Sequence, residues 1–409
     1  MNYHISHHTK KVNAEIYLAP SKSLSNRALI IRALCTNSFD IHHLSNSKDT
    51  EALQHALNSP SLDVNVGDSG TAFRFLTAFL STQEGQFTLS GSKRMNERPI
   101  KELVDALIEL GIDIEYLETD GYPPLKIYGK KIEGGKIAVN AAVSSQFISA
   151  LLMIAPTFKK GLEITLEGQI LSRPYITMTL EMMRYFGVES HWVGNTISVK
   201  NQVYQAKDIE IEADWSALAF LVEVMALSEE GELKVHGLFQ DSWQGDAKVL
   251  EHFEKVGVES CFKDSTLFIS KHKKANISES LNQDFIDCPD LAQAYCCALV
   301  GLAKTATLEG LHNLKYKESH RLSALKCELE KFNQKSDYTD SSFILHKSEL
   351  HSPKQHLNTH NDHRMAMCLA PLGILFDIKM NEVEVVSKSY PNFWDDLKKM
   401  GFTVSVLSH

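Results

Sequence analysis

The sequence predicts an α+β protein made of two similar domains, each built from three repeated units. The first observation behind this prediction is a recurring pattern in which an amphipathic helix ends at a glycine and an alternating strand follows. The second is the length of 409 residues, which is more than one hydrophobic core usually accommodates. Because six such units can be recognised, we interpret the chain as two domains of three βαβαββ-like units each.

The clearest copies of the pattern lie in four places along the chain. They span residues 102–115, 180–192, 249–262 and 394–406, and their helices stop at Gly111, Gly187, Gly257 and Gly401. A glycine directly after a helix is typical of a C-terminal cap in the left-handed conformation. Looser copies begin at Thr50 and Leu322, which brings the total to six.

Composition and charge exclude several classes of protein. The chain is 43% hydrophobic and 23% charged, and its net charge of −9 argues against a general binder of nucleic acid or anionic membranes. The N-terminus lacks the apolar segment of a signal peptide, and the longest apolar run, residues 147–156, is too short to span a bilayer. The seven cysteines are scattered without a CxxC pair, so we expect reduced thiols in a cytoplasmic protein. Cys296, Cys297 and Cys368 lie in apolar helical sequence, which predicts a packing role.

Four segments place small hydroxyl residues just before an apolar helix, often beside a cation. They are residues 20–27, 67–74, 143–147 and 171–175. Serine and threonine at such positions are first of all N-caps. A helix N-terminus also presents free N–H groups that suit phosphate or carboxylate, so the alternative is a ligand with several anionic groups. Neither a P-loop nor a GxGxxG after a strand is present, and nucleotide hydrolysis and NAD chemistry therefore find no support.

Two further segments pack acidic, basic and imidazole groups beside apolar helical sequence. They read Lys-Glu-Ser-His-Arg at 317–321 and Asn-Asp-His-Arg-Met-Ala-Met at 361–367. Charge at the edge of a core must be paired or must bind something. Taken alone, each segment fits either a structural ion pair or a functional site.

These segments together resemble the 5-enolpyruvylshikimate-3-phosphate (EPSP) synthase family over the whole length of the chain. In chain order the markers are SKSLSNR (21–27), GDSGTAFR (67–74), RMNERP (94–99), SSQF (144–147), SRPY (172–175), QGD (244–246), PD (289–290), KESHR (317–321), NDHRMAM (361–367) and Lys388. Each motif is weak alone, and their shared order makes the resemblance specific.

The resemblance implies a fold and an activity. The fold would be two similar domains with the active site in the cleft between them, here residues 21–212 and residues 1–20 plus 213–409. The activity would be transfer of the enolpyruvyl (carboxyvinyl) group of phosphoenolpyruvate (PEP) to the 5-hydroxyl of shikimate 3-phosphate, the sixth step of chorismate biosynthesis. It also implies a cytoplasmic monomer that needs no cofactor or metal and is a glyphosate target.

Residue roles follow from the same resemblance, position by position. The acid–base pair would be Asp290 and Glu318, with Lys22 as a third catalytic group. Shikimate 3-phosphate would be held on the 21–212 side by Lys22, Ser23, Arg27, Ser144, Ser145, Gln146 and Ser172, with Asp290, Asn313 and Lys317 completing its site. PEP would contact Lys22, Gly70, Arg98, Gln146, Arg321, Arg364 and Lys388. Tyr175 and Arg173 are expected to be neighbours of these residues.

The chemistry of the two substrates explains why such residue types are needed. Together they carry two phosphates and two carboxylates, which arginine and lysine neutralise. Addition to C2 of PEP needs a base for the hydroxyl proton and an acid for C3, and tuned carboxylates serve both purposes.

Three alternatives and three departures from the common family pattern accompany this interpretation. The alternatives are the enolpyruvyl transferase that acts on UDP-N-acetylglucosamine, an RNA 3′-phosphate cyclase and a non-catalytic anion-binding relative. The segment 91–98 contains no cysteine, which argues against the transferase that acts on UDP-N-acetylglucosamine.

The three departures from the common family pattern are Asp68 in place of asparagine, His320 in place of aspartate and Arg173 in place of lysine.

Overall fold

The chain folds into two compact units. The computed structural model describes residues 1–59, 61–271 and 277–407. The inserted unit comprises Ser21–Ile211, and the terminal unit comprises Met1–Pro20 together with Glu212–His409. The second boundary lies one residue before the position expected from the sequence.

The helices are numbered in chain order. They are α1 (Lys22–Leu34), α2 (Lys48–Asn58), α3 (Gly70–Ser81), α4 (Lys93–Asn96), α5 (Lys101–Glu109), α6 (Ser145–Ile154), α7 (Arg173–Tyr185), α8 (Trp215–Leu227), α9 (Val249–Glu254), α10 (Ala292–Gly301), α11 (Arg321–Glu330), α12 (His363–Leu369) and α13 (Phe393–Lys399).

The strands follow the same convention. They are β1 (Tyr3–Ser6), β2 (Lys11–Tyr17), β3 (Ile41–His42), β4 (Asp63–Asn65), β5 (Gly85–Ser90), β6 (Asp113–Tyr116), β7 (Leu125–Gly129), β8 (Gly135–Asn140), β9 (Leu162–Glu167), β10 (Ser190–Val193), β11 (Thr196–Val199), β12 (Ile209–Glu210), β13 (Glu230–His236), β14 (Val258–Lys263), β15 (Thr266–Lys271), β16 (Ser280–Asp284), β17 (Thr305–Glu309), β18 (Ser336–Tyr338), β19 (Phe343–Leu345), β20 (Ile378–Met380) and β21 (Thr403–Val406).

Four sheets share one topology, which confirms the predicted repeat. The inserted unit contains β4-β5-β7-β6 and β10-β11-β9-β8, and the terminal unit contains β14-β15-β13-β2 and β16-β17-β19-β18. In each sheet the first two strands in the chain are parallel, and the last two form an antiparallel hairpin beside them. Helical segments follow each of the first two strands, so the four repeats have the order βαβαββ. In the first sheet both α4 and α5 follow β5, and in the third the inserted unit separates β2 from α8.

The inserted unit and the terminal unit each contain, in addition, a reduced copy of this repeat. In the inserted unit it is a parallel pair of β3 and β12. In the terminal unit it is the sheet β20-β1-β21, where the chain's first strand pairs with its last and a single parallel bridge joins Leu357 to Met380. The looser copy predicted at Thr50 is wrong in one respect, because the strand after α2 is β4, which opens the next sheet.

The glycines after the repeated helices adopt the conformation that the sequence predicts. The φ angles of Gly111, Gly187, Gly257 and Gly401 are 90°, 81°, 80° and 98°. A side chain at these positions would be strained, so glycine ends each helix and turns the chain into the following strand.

The helices of each unit bury their apolar sides in a core. In the terminal unit, α8 and α10 are almost wholly buried, and Cys296, Cys297 and Cys368 lie in that core with 0% exposure, as predicted. In the inserted unit, α6 packs against both α3 and α7. No helix within the described residues combines the length and the apolar character that crossing a membrane would need.

Candidate active site

The four helix starts predicted in the inserted unit are present as α1, α3, α6 and α7. Three of them begin with a serine cap, since the side chains of Ser21, Ser69 and Ser144 accept hydrogen bonds from backbone N–H groups of the first turn. Ser172 differs, because its backbone is left-handed at φ 55° and its side chain makes no capping hydrogen bond. A left-handed serine is uncommon, which makes Ser172 a candidate functional residue.

Side-chain hydrogen bonds tie the starts of several helices together. Lys22 at the start of α1 forms an ion pair with Asp49 in the first turn of α2, with Nζ and Oδ2 3.0 Å apart. The Ser69 hydroxyl donates to the Asp49 carbonyl over 3.4 Å. At the start of α6, Gln146 Nε2 donates to Thr71 Oγ1 on α3 over 3.1 Å. The helix N-termini therefore lie near one another, and their positive ends are concentrated in one region.

Arg27 is a buried cation held by neutral oxygens. Its guanidinium is 1% exposed and donates to Thr179 Oγ1 (2.7 Å), the Ser23 carbonyl (2.9 Å), Ser149 Oγ (3.2 Å) and the Tyr175 carbonyl (3.3 Å). Burial lowers the pKa of Arg27 to about 10. Four of its five N–H donors are thereby occupied, and Arg27 holds α1 to α6 and α7.

Two further arginines converge on the start of α3. A Cβ atom placed on Gly70 would lie 2.5 Å from Arg74 Nη1 and 2.8 Å from Arg98 Cζ. The Arg98 side chain is 7% exposed and its Nε atom is buried, and within the described part of the chain its guanidinium has no hydrogen-bond partner. A buried guanidinium without a protein acceptor favours an anionic ligand.

In the terminal unit, three carboxylates surround one guanidinium. Arg321, the first residue of α11, is 1% exposed and lies 2.8 Å from an oxygen of Asp290, 2.8 Å from an oxygen of Glu318 and 2.8 Å from an oxygen of Asp362. The buried cation therefore fixes the position of all three acids.

Three more cations border this group. Arg364 Nη2 lies 3.2 Å from Asp290 Oδ2, Lys317 Nζ lies 3.3 Å from Asp290 Oδ1, and Lys388 Nζ lies 3.3 Å from Glu318 Oε1. In these ion pairs the four cations outnumber the three carboxylates by one.

The pKa values of Asp290 and of the neighbouring Asp246 are shifted in opposite directions. Burial alone would raise the pKa of Asp290, but Arg364, Lys317 and Arg321 outweigh it and hold the pKa far below its usual range. Burial and the nearby Asp290 charge raise the pKa of Asp246 to about 6. The pKa of Lys317 is lowered by burial, against the attraction of Asp290. Neighbouring carboxylates with pKa values driven apart are typical of acid–base sites.

Asp362 organises the cluster without having been predicted as a site residue. It is fully buried, accepts a hydrogen bond from Ser319 Oγ at 3.0 Å and from Arg321, and caps α12 by accepting from the Arg364 N–H at 3.0 Å. One feature of the sequence pointed to Asp362, namely a charged residue directly before an apolar run. That feature did not identify Arg321 as the partner of Asp362.

Comparison with known proteins identifies the family. The family model for EPSP synthase (3-phosphoshikimate 1-carboxyvinyltransferase) matches residues 54–397. A 3-phosphoshikimate 1-carboxyvinyltransferase of Bacteroides fragilis is 41% identical over 402 residues, which cover 97% of each chain. The chain belongs to the EPSP synthase family. A second relative with the same name, from Colwellia psychrerythraea, is 35% identical over 425 residues and covers 95% of this chain.

A solved structure shows that the fold is shared as well. The EPSP synthase of Acinetobacter baumannii superposes with a TM-score of 0.78 over 99% of this chain and 100% of its own, at 19% sequence identity. The two-domain α+β architecture expected from the repeats is thereby confirmed.

The EPSP synthase residues expected from the sequence divide between the two units. The inserted unit carries Lys22, Ser23, Arg27, Gly70, Arg98, Ser144, Ser145, Gln146 and Ser172. The terminal unit carries Asp290, Asn313, Lys317, Glu318, Arg321, Arg364 and Lys388. Within the terminal unit the ion pairs join all of these except Asn313, which is buried just before the turn that leads to Lys317.

The three departures from the family pattern have structural explanations. Asp68 accepts a hydrogen bond from the Ser92 hydroxyl on the surface. His320 is the N-cap of α11 and its Nδ1 accepts from the Ser323 N–H at 3.3 Å. Arg173 stacks on the Trp192 ring at 4.2 Å. Each replacement is therefore occupied in a local contact that stabilises its own unit.

Proposed function

We propose that this chain transfers the carboxyvinyl group of PEP to the 5-hydroxyl of shikimate 3-phosphate, giving 5-enolpyruvylshikimate 3-phosphate and phosphate. The observation that carries this proposal beyond family membership is the single buried guanidinium of Arg321, which holds Asp290 and Glu318 at 2.8 Å each. Two carboxylates fixed on one cation, with lysines at the edge, can move protons at two atoms of a bound substrate.

The binding roles are divided according to charge. In the inserted unit we assign shikimate 3-phosphate to Lys22, Ser23, Arg27, Ser144, Ser145, Gln146 and Ser172, helped from the terminal unit by Asp290, Asn313 and Lys317. We assign PEP to Lys22, Gly70, Arg98, Gln146, Arg321, Arg364 and Lys388. The convergence of Arg98 on Gly70 supports this, because α3 then offers backbone N–H groups and a guanidinium to the same anion.

The protons move between oxygen and carbon as follows. Asp290 accepts the proton of the 5-hydroxyl while the hydroxyl oxygen bonds to C2 of PEP, and Glu318, which must first take up a proton from solvent, donates that proton to C3. The tetrahedral intermediate then loses phosphate while C3 returns its proton to Glu318, and the hydroxyl proton leaves with the phosphate. Lys22, a cation whose side chain is 15% exposed, stabilises the departing phosphate.

Substrate binding would tune the base. In the structure Asp290 is a weak base, because Arg364, Lys317 and Arg321 lower its pKa strongly. Substrate phosphate and carboxylate groups compete for Arg364 and Lys317, and losing these partners raises the pKa of Asp290 toward the range in which proton transfer is efficient. The base is therefore activated when both anions are in place.

The test is a comparison of acceptor substrates. Purified protein is incubated with PEP and either shikimate 3-phosphate or UDP-N-acetylglucosamine, and phosphate release is followed. We expect release with shikimate 3-phosphate alone. Release with the UDP-sugar would assign the chain to the other enolpyruvyl transferase, and tight PEP binding without release from either acceptor would indicate a non-catalytic relative.

The cellular setting is part of the proposal. We propose a monomer that works in the cytoplasm; the free thiol state of all seven cysteines, four of which are buried in the core, supports the reducing compartment. Sedimentation at working concentrations that gave a dimer would contradict the monomer.

A further inference from the structure

Three side chains of types that commonly bind metal ions lie together at the C-terminal end of α11, away from the ion pairs of Arg321. They are Cys327 and Glu328, which are neighbours on α11, and His360 in the segment that precedes α12. One ligand atom of each, the sulfur, a carboxylate oxygen and a ring nitrogen, lies within 4.8 Å of the other two. The proposed reaction uses none of these residues.

The contacts of Glu328 leave one of its oxygens directed at His360. Glu328 is fully buried, and its Oε2 accepts from Lys331 Nζ at 2.7 Å and from the Asn358 N–H at 2.9 Å. Its Oε1 lies 2.9 Å from His360 Nε2. The carboxylate is therefore oriented by two donors, in the way that ligating carboxylates usually are.

The backbone at His360 is held in an unusual conformation. Its φ angle is 52°, in the left-handed region that histidine adopts more often than most residues but still rarely. That conformation presents the ring to Glu328, and the side chain remains 30% exposed. Cys327 is exposed. A cation can therefore reach the group from solvent while Glu328 anchors it from the core.

We propose that Cys327, Glu328 and His360 form a binding site for a zinc-class divalent cation. The ligands would be Cys327 Sγ, Glu328 Oε1 and His360 Nε2, with water completing a tetrahedron. Binding would release the thiol proton and require the imidazole proton to reside on Nδ1.

The donor set determines which cations fit. A thiolate and an imidazole select zinc, cobalt or nickel, whereas magnesium and calcium prefer oxygen ligands throughout. The thiolate and the carboxylate supply two negative charges, and Lys331 offsets one of them through its contact with Glu328 Oε2. We therefore expect moderate affinity and a clear preference for zinc over magnesium.

Such a cation would join two segments that carry active-site residues. α11 begins with Arg321, and His360 lies two residues before Asp362, the buried partner of Arg321. Binding would thus link the far end of α11 to the segment that leads into α12. The inference does not depend on the proposed reaction, since it can be tested without either substrate.

The test uses the full chain after treatment with a chelator. Co²⁺ is added first, because a thiolate ligand produces a sulfur-to-cobalt absorption band in the near ultraviolet, and Zn²⁺ affinity is then measured by calorimetry. We expect one cation per chain, a higher Tm with Zn²⁺ and no competition from Mg²⁺. Cys327→Ser should abolish the cobalt band and weaken Zn²⁺ binding by at least about tenfold, since losing even an outer partner of a metal ligand costs about 10–100-fold.

Two further variants make the result decisive. His360→Asn keeps a residue that tolerates the left-handed conformation and should weaken Zn²⁺ binding as Cys327→Ser does. Cys261→Ser removes another exposed thiol of the terminal unit and should change nothing. A cobalt band that survives Cys327→Ser, a band lost in Cys261→Ser, or the absence of Zn²⁺ binding to the unaltered chain would each overturn the proposal.

Discussion

The charged groups of the two units are held in different ways. In the terminal unit every cation of the Arg321 cluster is paired with a carboxylate, and the buried Arg321 contacts three of them. In the inserted unit Arg27 is held by neutral oxygens, and Arg98 has no hydrogen-bond partner among the described residues. Lys22 is the exception there, because it pairs with Asp49.

The difference indicates two kinds of task. Cations held by neutral groups keep their charge for a ligand, so the inserted unit is suited to bind anions. Carboxylates fixed by cations are held in place for proton transfer, and the cations displace the pKa of Asp290, so the terminal unit is suited to move protons. The following changes test this division, from the largest expected effect to the smallest.

Glu318→Gln should break the proton transfer at C3. Glutamine keeps the shape of the side chain and can still accept a hydrogen bond from Arg321. Its amide group, however, can neither donate a proton to C3 nor take one back. Loss of one general acid–base group costs about 10²–10⁴-fold in turnover. We expect kcat, measured by phosphate release, to fall within this range, and exchange of the PEP methylene hydrogens with solvent to fall with it.

A matched control separates catalysis from ion pairing. Glu330→Gln changes an exposed glutamate at the end of α11, the helix that follows Glu318, 4.0 Å from Lys326, and should leave turnover unchanged. If Glu318→Gln lowered Tm but retained normal turnover and exchange, Glu318 would be only an ion-pair partner of Arg321 and Lys388.

Asp246→Asn should stabilise the protein at neutral pH and above. Burial raises the pKa of Asp246 from 3.8 to about 6, so the folded state favours the protonated acid. The corresponding stability is present below about pH 4 and is lost as pH rises through about 6, at a cost of about 3 kcal/mol. Asparagine avoids that cost, because it stays neutral at every pH.

Denaturant unfolding at two pH values checks this prediction. The gain should reach about 3 kcal/mol near pH 8 and vanish near pH 4. Asp241→Asn, at an exposed position in the same connection between β13 and α9, should have no effect at either pH. An Asp246→Asn variant less stable than the unaltered chain at about pH 8 would mean that the ionised carboxylate is a favourable partner of Arg364.

Arg98→Ala should weaken PEP binding and leave the fold intact. The guanidinium makes no hydrogen bond to the described part of the chain, so its removal breaks no such bond within the protein. A hydrogen bond to a charged group contributes about 1.5–3 kcal/mol, which predicts a roughly 10- to 150-fold increase in KM for PEP. The control is Arg94→Ala, which removes an exposed arginine paired with Glu97 at 2.7 Å. Equal effects of the two variants would refute a specific role for Arg98.

The sequence predicted the repeat well because its signals are local. A helix that ends at Gly111 or Gly187 and leads into a strand can be recognised within about fifteen residues. The serine caps at Ser21, Ser69 and Ser144 are local signals too, and all three are confirmed. The pairing of β2 with β13 is not of this kind, since no feature of Lys11–Tyr17 specifies Glu230–His236 as its neighbour.

The site was less predictable wherever a role depends on distant partners. Arg94 and Arg98 are four residues apart in one motif, yet one is exposed in an ion pair and the other is buried against Gly70. Asp362 could be predicted as a helix cap, but its hydrogen bond to Arg321 spans 41 residues. Both distinctions depend on tertiary packing, which a single sequence does not record.

Gly70→Ala is the finest test, because it moves two guanidiniums without removing either. The new Cβ would lie 2.5 Å from Arg74 Nη1 and 2.8 Å from Arg98 Cζ, so the ends of both side chains must shift. These are flexible side chains, and alanine is a better helix former than glycine by up to about 1 kcal/mol, so Tm should stay level or rise. PEP affinity should fall by about 1 kcal/mol, roughly fivefold, since the donors remain but no longer meet the anion at their best positions. Affinity for shikimate 3-phosphate alone should be unchanged, because Arg27 and its partners are not displaced. An equal loss for both substrates would show that Gly70 shapes the whole inserted unit, and the assignment of this helix start to PEP would then be wrong.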